Sequence, residues 1–383
     1  MAETNISLME TKLLGIPTPC FVLEKNLLMS NLEVFKKLEA ESGVWALCAL
    51  KGFAFYHVFE DVSRAIHGAT ASSLHETMLA AQYFKDVHVC APVYIEKEFD
   101  KITELATHIT FNTLTQYTKF KSKLKKRNTA LLRINPEYSE VSTDLYNPCK
   151  VDSRLGVTKA ELKKYGTLPP EIKGLHVHAL CENDSTTFER LLEKIEEKFS
   201  NELKQVKYLN IGGGHLVTKQ GYDLEHLIKQ IKEIQEKYSI QVIMEPGSAY
   251  GWQTGFLRAE IQDIIKKEGL DILMLDVSFS AHMPDCLEMP YMPMVRNYSQ
   301  ETGKYRVRLG GNTCLAGDEL GDYYVEELPK VGDPIIFEDM IHYTMVKTTT
   351  FNGVNLPSIG MLNKQNKFVL LKQHGFEDYK SRL

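Results

Sequence analysis

The sequence predicts an α/β fold, a (β/α)8 barrel followed by a C-terminal all-β domain. Short apolar runs alternate with helically periodic segments from Pro17 to about Tyr250, and the alternation repeats eight times. Eight such units fit a closed barrel of about 240 residues. After Tyr250 the texture changes to strand-like runs separated by Gly, Asp and Pro. The expected boundaries are 17–250 for the barrel and 251–383 for the β domain, which residues 1–16 join. A doubly wound open sheet is the rival architecture, and the regularity of the units favours the barrel.

The expected barrel strands are VWALCAL (44–50), RAIHGAT (64–70), DVHVCAP (86–92), HITFN (108–112), TALLRINP (129–136), IKGLHVHAL (172–180), VKYLNIGGG (206–214) and QVIMEPG (241–247). The segments between them, such as DSTTFERLLEKIEEKFS and YDLEHLIKQIKEIQEKY, repeat apolar residues every three or four positions. In the C-terminal part LDILMLDVSFS, KYRVRLGG, GDPIIFEDM, HYTMVKTTTFNG and KFVLLKQ read as strands.

Composition excludes several function classes. Of 383 residues, 43% are hydrophobic and 25% charged, with a net charge of −5, as in an ordinary soluble protein. The one basic run, KFKSKLKKR (119–127), lacks interleaved aromatics and reads as a solvated helix face, so no nucleic-acid partner is expected. No apolar stretch approaches the roughly 18 residues of a membrane span. The first residues, MAETNISLMETKLL, do not resemble a secretory leader. Seven irregularly spaced cysteines without a CxxC pair argue against a disulfide framework or zinc motif and suit a reducing cytoplasm.

In a barrel, function resides at the carboxyl ends of the strands. The first strand ends in Lys51, the fifth carries Arg133, and the sixth ends in His176, His178 and Glu182. The seventh ends in Gly212, Gly213 and Gly214, the eighth in Glu245, Pro246 and Gly247. Taken singly, each has a plain alternative. The glycines suit an anion cradle or a simple turn, and Lys51 or Glu245 suits an ion pair. His176 and His178, two apart on a strand, would share one face, but nothing nearby completes a metal set, and no metal is expected. Together they suit pyridoxal 5′-phosphate: an amine for the aldehyde, a flat ring to stack, glycines for the phosphate, and a carboxylate for the pyridinium nitrogen. On this reading Lys51 is tolerated at a packed strand end because it is held as an imine.

Eight stretches then carry a family resemblance: ALKGFAF (49–55), LYNPCKVDSRLGV (145–157), GLHVHALCE (174–182), NIGGGHLVTKQGYD (210–223), EPGSAYGWQTG (245–255), AHMPDCLEMPY (281–291), GNTCLAGDELGDY (311–323) and IHYTMVKTTTFNG (341–353). In this order and spacing they resemble the alanine-racemase-fold, pyridoxal-phosphate-dependent decarboxylases, in particular the carboxynorspermidine/carboxyspermidine branch. The resemblance implies Lys51 as the Schiff-base lysine and His178 stacked on the cofactor ring. Gly213, Gly214 and Gly247 would hold the cofactor, Glu245 would meet its ring nitrogen and the substrate, and Tyr343 would contact its phosphate. Arg133 and Glu76 would support Lys51 and the ring. Cys314 would be the catalytic acid, serving a partner's site in a cytoplasmic homodimer. Asp318 and Asp285 would contact substrate, with Glu288 and Asp322 the weaker candidates for the same task. Where ornithine and diaminopimelate decarboxylases follow EPG with arginine, this chain has Ser248, which argues against a dicarboxylate substrate. The implied reaction is decarboxylation of carboxynorspermidine or carboxyspermidine in polyamine biosynthesis. The alternatives are a decarboxylase for diaminopimelate or ornithine, a racemase, or a pyridoxal-phosphate carrier.

Overall fold

The computed structural model describes residues 15–141 and 144–383, apart from the side chain of residue 144. The N-terminal stretch read above for a leader lies outside the described residues as far as residue 14. The chain forms two compact units, residues 31–250 and residues up to 30 with 251–383.

The first strand, β1 (Cys20–Glu24), belongs to the second of these units. The next eight are β2 (Trp45–Ala49), β3 (Gly68–Ala71), β4 (Val87–Ala91), β5 (His108–Phe111), β6 (Thr129–Arg133), β7 (Ile172–His176), β8 (Tyr208–Asn210) and β9 (Gln241–Met244). They are parallel and close a barrel in sequence order, β9 pairing with β2. Each expected apolar run holds one of them. Only the second is displaced: Arg64 and Ala65 end a helix, and the strand starts at Gly68. A side chain there has no room, because a Cβ on Gly68 would lie 2.4 Å from the carbonyl oxygen of Asp86.

Helices α1 (Lys25–Ser42), α2 (Phe59–Ala65), α3 (Leu74–Tyr83), α4 (Glu96–Leu105), α5 (Leu114–Phe120), α6 (Lys159–Tyr165), α7 (Ser185–Leu203) and α8 (Leu224–Tyr238) alternate with the strands. Their starts are written in the sequence. Ser73, Thr113, Thr158, Asp184 and Asp223 each accept an N–H of the first turn through the side chain. Helix α7 buries Phe188, Leu191, Leu192, Ile195 and Phe199, the three-to-four-residue stripe that a helix lays on a sheet. The basic run 119–127 is a solvated face as expected, with Lys119 paired to Glu96 (2.9 Å), Lys123 to Asp100 (3.3 Å) and Lys125 to Glu104 (3.4 Å) of α4.

The second unit is built on strands β10 (Gly255–Lys267), β11 (Leu270–Leu275), β12 (Tyr305–Gly310), β13 (Glu319–Val325), β14 (Pro334–Glu338), β15 (Ser358–Leu362) and β16 (Phe368–Lys372). With β1 they form one sheet in the order β13-β12-β11-β10-β1-β15-β16, and β14 pairs with β10. Thus β1, expected to open the barrel domain, lies between β10 and β15. Its Cys20 and Val22 enter a core with Ile16, Phe256, Ile336 and Leu362. The division between the units falls between Tyr250 and Gly251, and residues up to 30 group with the sheet. The run HYTMVKTTTFNG, expected as a strand, is a short helix Tyr343–Val346 and a 3-10 turn Phe351–Gly353. Among the described residues no helix is long and apolar enough to cross a membrane.

Two buried histidines link the fold to pH. His215 packs edge-on against Phe188 (5.0 Å), and His282 accepts the Ser278 N–H at Nδ1 (3.1 Å). Burial pushes each down to about 4. The unfolded imidazoles titrate near 6.5, so between these values the unfolded chain binds more protons. The stability they contribute is complete above about pH 6.5 and is lost as pH falls towards 4, by up to about 1.4 kcal/mol per pH unit for each. Urea midpoints should therefore drop across that window, and His215→Gln should flatten the slope. An unchanged slope would contradict the assignment.

Candidate active site

Strand β2 stops at Ala49, and Lys51 sits in the turn that follows. That turn meets the one after β9. The N–H of Ala49 donates to the carbonyl of Pro246 (3.0 Å), and a Cβ on Gly52 would lie 2.9 Å from the Cα of Gly247. Two glycines thus bring the first and last barrel strand ends into backbone contact, and the turn that carries Lys51 adjoins the turn that follows Glu245. Lys51 is exposed, which corrects the expectation of an ammonium group inside a packed core. It stands in the mouth of the barrel, where strand ends diverge, so water can solvate it without an imine.

Glu245 is fixed by a network that sequence reasoning missed. Asn210, the last residue of β8, donates from Nδ2 to Oε1 of Glu245 (2.7 Å) and accepts the Gly212 N–H at Oδ1 (2.9 Å). Nε2 of His176 lies 3.6 Å from Oε2, and its Nδ1 lies 3.3 Å from the Thr110 hydroxyl. The signal available in the sequence was a polar Asn closing an apolar strand, followed at once by glycines.

His176 closes β7, and His178 lies two residues beyond it. Nδ1 of His178 accepts the N–H of Gly213 (3.2 Å), so the ring is anchored to the glycine turn. Both imidazoles are held well below their ordinary pKa, by burial first and then by the charges of Lys51 and Arg133. They are neutral at physiological pH. Arg133 is 7% exposed, and among the described residues neither it nor Lys51 forms an ion pair with a carboxylate. Glu76 accepts the Ser72 N–H (2.6 Å), and burial raises its pKa against the pull of Lys51.

The glycines have a steric explanation of their own. Gly212 (φ 68°) and Gly214 (φ 92°) are left-handed, and Cβ atoms there would lie 2.5 Å from the Val177 carbonyl oxygen and 2.2 Å from that of Leu180. A Cβ on Gly213 would lie 2.5 Å from the Glu245 carbonyl oxygen. The tight turn is therefore required: Gly212 and Gly213 commit their N–H groups to Asn210 and His178, and the bare Cα atoms let an anion approach the backbone next to His178. An aldehyde-bearing, anionic, flat cofactor fits this set: an exposed amine, a buried guanidinium with no carboxylate partner among the described residues, a neutral ring and a positioned carboxylate.

In the sheet unit Cys314 is exposed on the loop between β12 and β13, its N–H held by Oδ1 of Asn352 (2.8 Å). Asp318 is 4% exposed and staples that loop. Its Oδ1 accepts from Ser278 Oγ (3.1 Å) and the Ser280 N–H (2.9 Å), its Oδ2 from the Thr313 N–H (3.1 Å) and Oγ1 (2.6 Å). These bonds hold the loop that carries Cys314. Asp285 differs. Its Oδ2 accepts from Tyr291 (2.7 Å) and Thr344 (2.8 Å), while its buried Oδ1 has no donor. Glu288 is paired with Lys347, and Asp322 with Arg308 (2.7 Å) and Arg306 (3.3 Å). Tyr343 begins the short helix after His342 and is half-buried.

Replacing Asp318 with alanine strands four donors. Hydrogen–deuterium exchange across residues 311–318 should accelerate, with the barrel peptides unchanged. Equal protection in the variant would remove the stapling role.

The comparisons with known proteins agree with this geometry. Residues 58–251 match the pyridoxal-dependent decarboxylase pyridoxal binding domain, and residues 187–341 match the C-terminal sheet domain of the same enzymes. A carboxyaminopropylagmatine decarboxylase of Synechocystis is 50% identical, with 100% of both chains covered. A carboxynorspermidine/carboxyspermidine decarboxylase of Campylobacter jejuni is 42% identical over 96% of this chain and 98% of its own. The crystal structure of carboxynorspermidine decarboxylase with norspermidine from Campylobacter jejuni superimposes with a TM-score of 0.87 at 40% identity, covering 96% of this chain and 100% of that one. A Helicobacter pylori diaminopimelate decarboxylase, at 15% identity and a TM-score of 0.80, shares the fold. By these matches over nearly its whole length, the chain belongs to the pyridoxal-dependent decarboxylases.

Proposed function

We propose that this decarboxylase acts on a carboxylated polyamine, carboxynorspermidine or carboxyspermidine, and releases norspermidine or spermidine. The observation that carries the substrate class is the buried, donor-free Oδ1 of Asp285, an acceptor suited to an ammonium group of a cationic arm. Ser248 supports it, since no arginine follows EPG to hold a distal carboxylate. The full-length relatives bearing polyamine-carboxylate names support it too. The 50% identical relative favours a second reading within the class, in which the arm ends in the guanidinium of an agmatine moiety.

Pyridoxal phosphate, when bound, supplies an electron sink for the pair left behind as the α-carboxylate departs. The residues of the chain do the rest. Lys51 carries the cofactor through its amine and accepts it back after each turnover. Glu245, held by Asn210, keeps a negative charge at the ring nitrogen. His178, neutral and anchored to Gly213, presents a flat face. Arg133, Gly213, Gly214, Gly247 and Tyr343 complete the set that holds the anionic cofactor. Cys314 donates a proton to Cα from its thiol. We further infer a cytoplasmic homodimer in which Cys314 serves the partner's site.

Purified, cofactor-loaded protein incubated separately with carboxyspermidine, carboxynorspermidine, carboxyaminopropylagmatine, meso-diaminopimelate and L-ornithine should release CO2 from the polyamine carboxylates and little from the last two. The two carboxypolyamines differ by one methylene, which limits their discrimination to about 10–200-fold. Preferred turnover of diaminopimelate or ornithine would overturn the substrate assignment and leave the cofactor site intact. Lys51→Ala and Cys314→Ala should each be nearly inactive, and verified mixed dimers of the two should regain part of the activity. Inactive mixed dimers would refute the shared site.

A further inference from the structure

The segment IHYTMVKTTTFNG (341–353) has Tyr343 near its start, and its end reaches Cys314. Cys314 opens a run, 314–317, that is exposed throughout. Asp318 fastens this loop through Thr313, Ser278 and Ser280, and none of these bonds reaches Cys314. Among the described residues Cys314 makes one hydrogen bond. Its N–H donates to Oδ1 of Asn352, 2.8 Å away and 38 residues along the chain.

The conformation of Asn352 is the second observation. With φ 60° and ψ 10° it is left-handed, in the middle of the turn Phe351–Gly353. That region disfavours most side chains, and asparagine is among the few that visit it. Glycine would make the same turn at lower cost, but it has no oxygen to offer the Cys314 N–H. Backbone held in a sparsely populated region is characteristic of functional sites.

The turn is also braced. The Phe351 N–H donates to Thr349 Oγ1 (3.3 Å) and the Gly353 N–H to the carbonyl of Thr350 (3.1 Å). The Thr349 N–H donates to the carbonyl of Ala281 (2.7 Å), next to the Ser280 that bonds Asp318. The short segment 278–281 therefore supports both anchors of the Cys314 loop, Asp318 and the Asn352 turn. On its other side the turn meets the C-terminal helix Phe376–Lys380. A Cβ on Gly353 would lie 3.5 Å from Cζ of Tyr379, and Asn355 Nδ2 donates to the carbonyl of His374 (3.1 Å). A cavity of about 360 Å3 lies between turn and helix, so these few contacts, rather than solid packing, place Asn352.

We propose that Asn352 is a positioning residue for protonation at Cα: it fixes the backbone of Cys314 so that the thiol meets one face of the reacting carbon. This rests on the reading of Cys314 as the acid. In that step the electron pair left by CO2 forms the new C–H bond with the thiol proton, and water reprotonates the thiolate. A misplacement of about 1 Å can cost such a step about 100-fold in rate.

The test uses full-length, cofactor-loaded protein in D2O with the fastest of carboxyspermidine, carboxynorspermidine and carboxyaminopropylagmatine. The configuration of the new C–D centre is read by NMR of a chiral derivative. Wild type should place one deuterium at Cα in a single configuration. Asn352→Gly keeps the left-handed backbone and loses the acceptor. Its kcat and kcat/KM should fall together, by up to about 100-fold, with KM and cofactor absorbance unchanged and the configuration mixed. Asn352→Asp keeps an acceptor of the same reach and should restore the single configuration and most of the rate. Wild-type rate and configuration in Asn352→Gly overturn the proposal, as does an Asn352→Asp chain no better than the glycine variant. Cys314→Ala separates the two readings. If it keeps both rate and configuration, the acid is another group and the underlying reading fails. If it loses them while Asn352→Gly keeps them, only the role of Asn352 falls. Should Asn352→Gly not fold, hydrogen exchange in the wild-type holoenzyme decides: the Cys314 amide should exchange slowly despite its exposure, and free exchange overturns the proposal.

Discussion

Closure of the barrel between β2 and β9 is the contact on which the site depends. It is a short seam, with Trp45 opposite Ile243 and Ala46 opposite Met244. Above it the chain continues the pairing without regular strand, through the Ala49–Pro246 hydrogen bond and the touching backbones of Gly52 and Gly247. Without that closure Lys51 and Glu245, at the two ends of the repeat series, have no reason to be neighbours. The glycines are therefore as functional as the charged residues. A side chain at either would wedge the seam open and separate the amine from the carboxylate.

The mouth of the barrel shows how one small volume holds opposite charges without annihilating them. Lys51 and Arg133 contribute two positive charges, and Glu245 is kept by the amide of Asn210 rather than by a lysine. The imidazoles at 176 and 178 are kept neutral by burial first and then by the same cations. Had either histidine been protonated, the site would repel its own lysine. The charge pattern suits a cofactor that is anionic at one end and protonated at the ring.

In the sheet unit the same economy takes another form. Asp318 looks in sequence like a group for substrate, because it stands four residues after Cys314. Its carboxylate instead gathers Ser278, Ser280 and Thr313 around the Cys314 loop. The loop that carries the exposed thiol is held by this staple. Asp285, with one oxygen satisfied by Tyr291 and Thr344 and the other bare, has the profile that Asp318 lacks.

The sequence by itself determined the barrel, its eight strands in order, the sheet after Tyr250 and the family, because period and motif spacing are local properties of the chain. It also brought Lys51, His178 and Glu245 to the right strand ends. Tertiary structure decided what depends on partners distant in sequence. Strand β1 joins the sheet because its Cys20 and Val22 fit a core made by Phe256, Ile336 and Leu362, which no local pattern discloses. HYTMVKTTTFNG alternates like a strand, yet it turns into a short helix where tertiary contacts override propensity. Lys51 proved exposed, Asn210 emerged as the holder of Glu245, and Asp318 turned inward, because hydrogen-bond partners are assigned by folding and not by spacing.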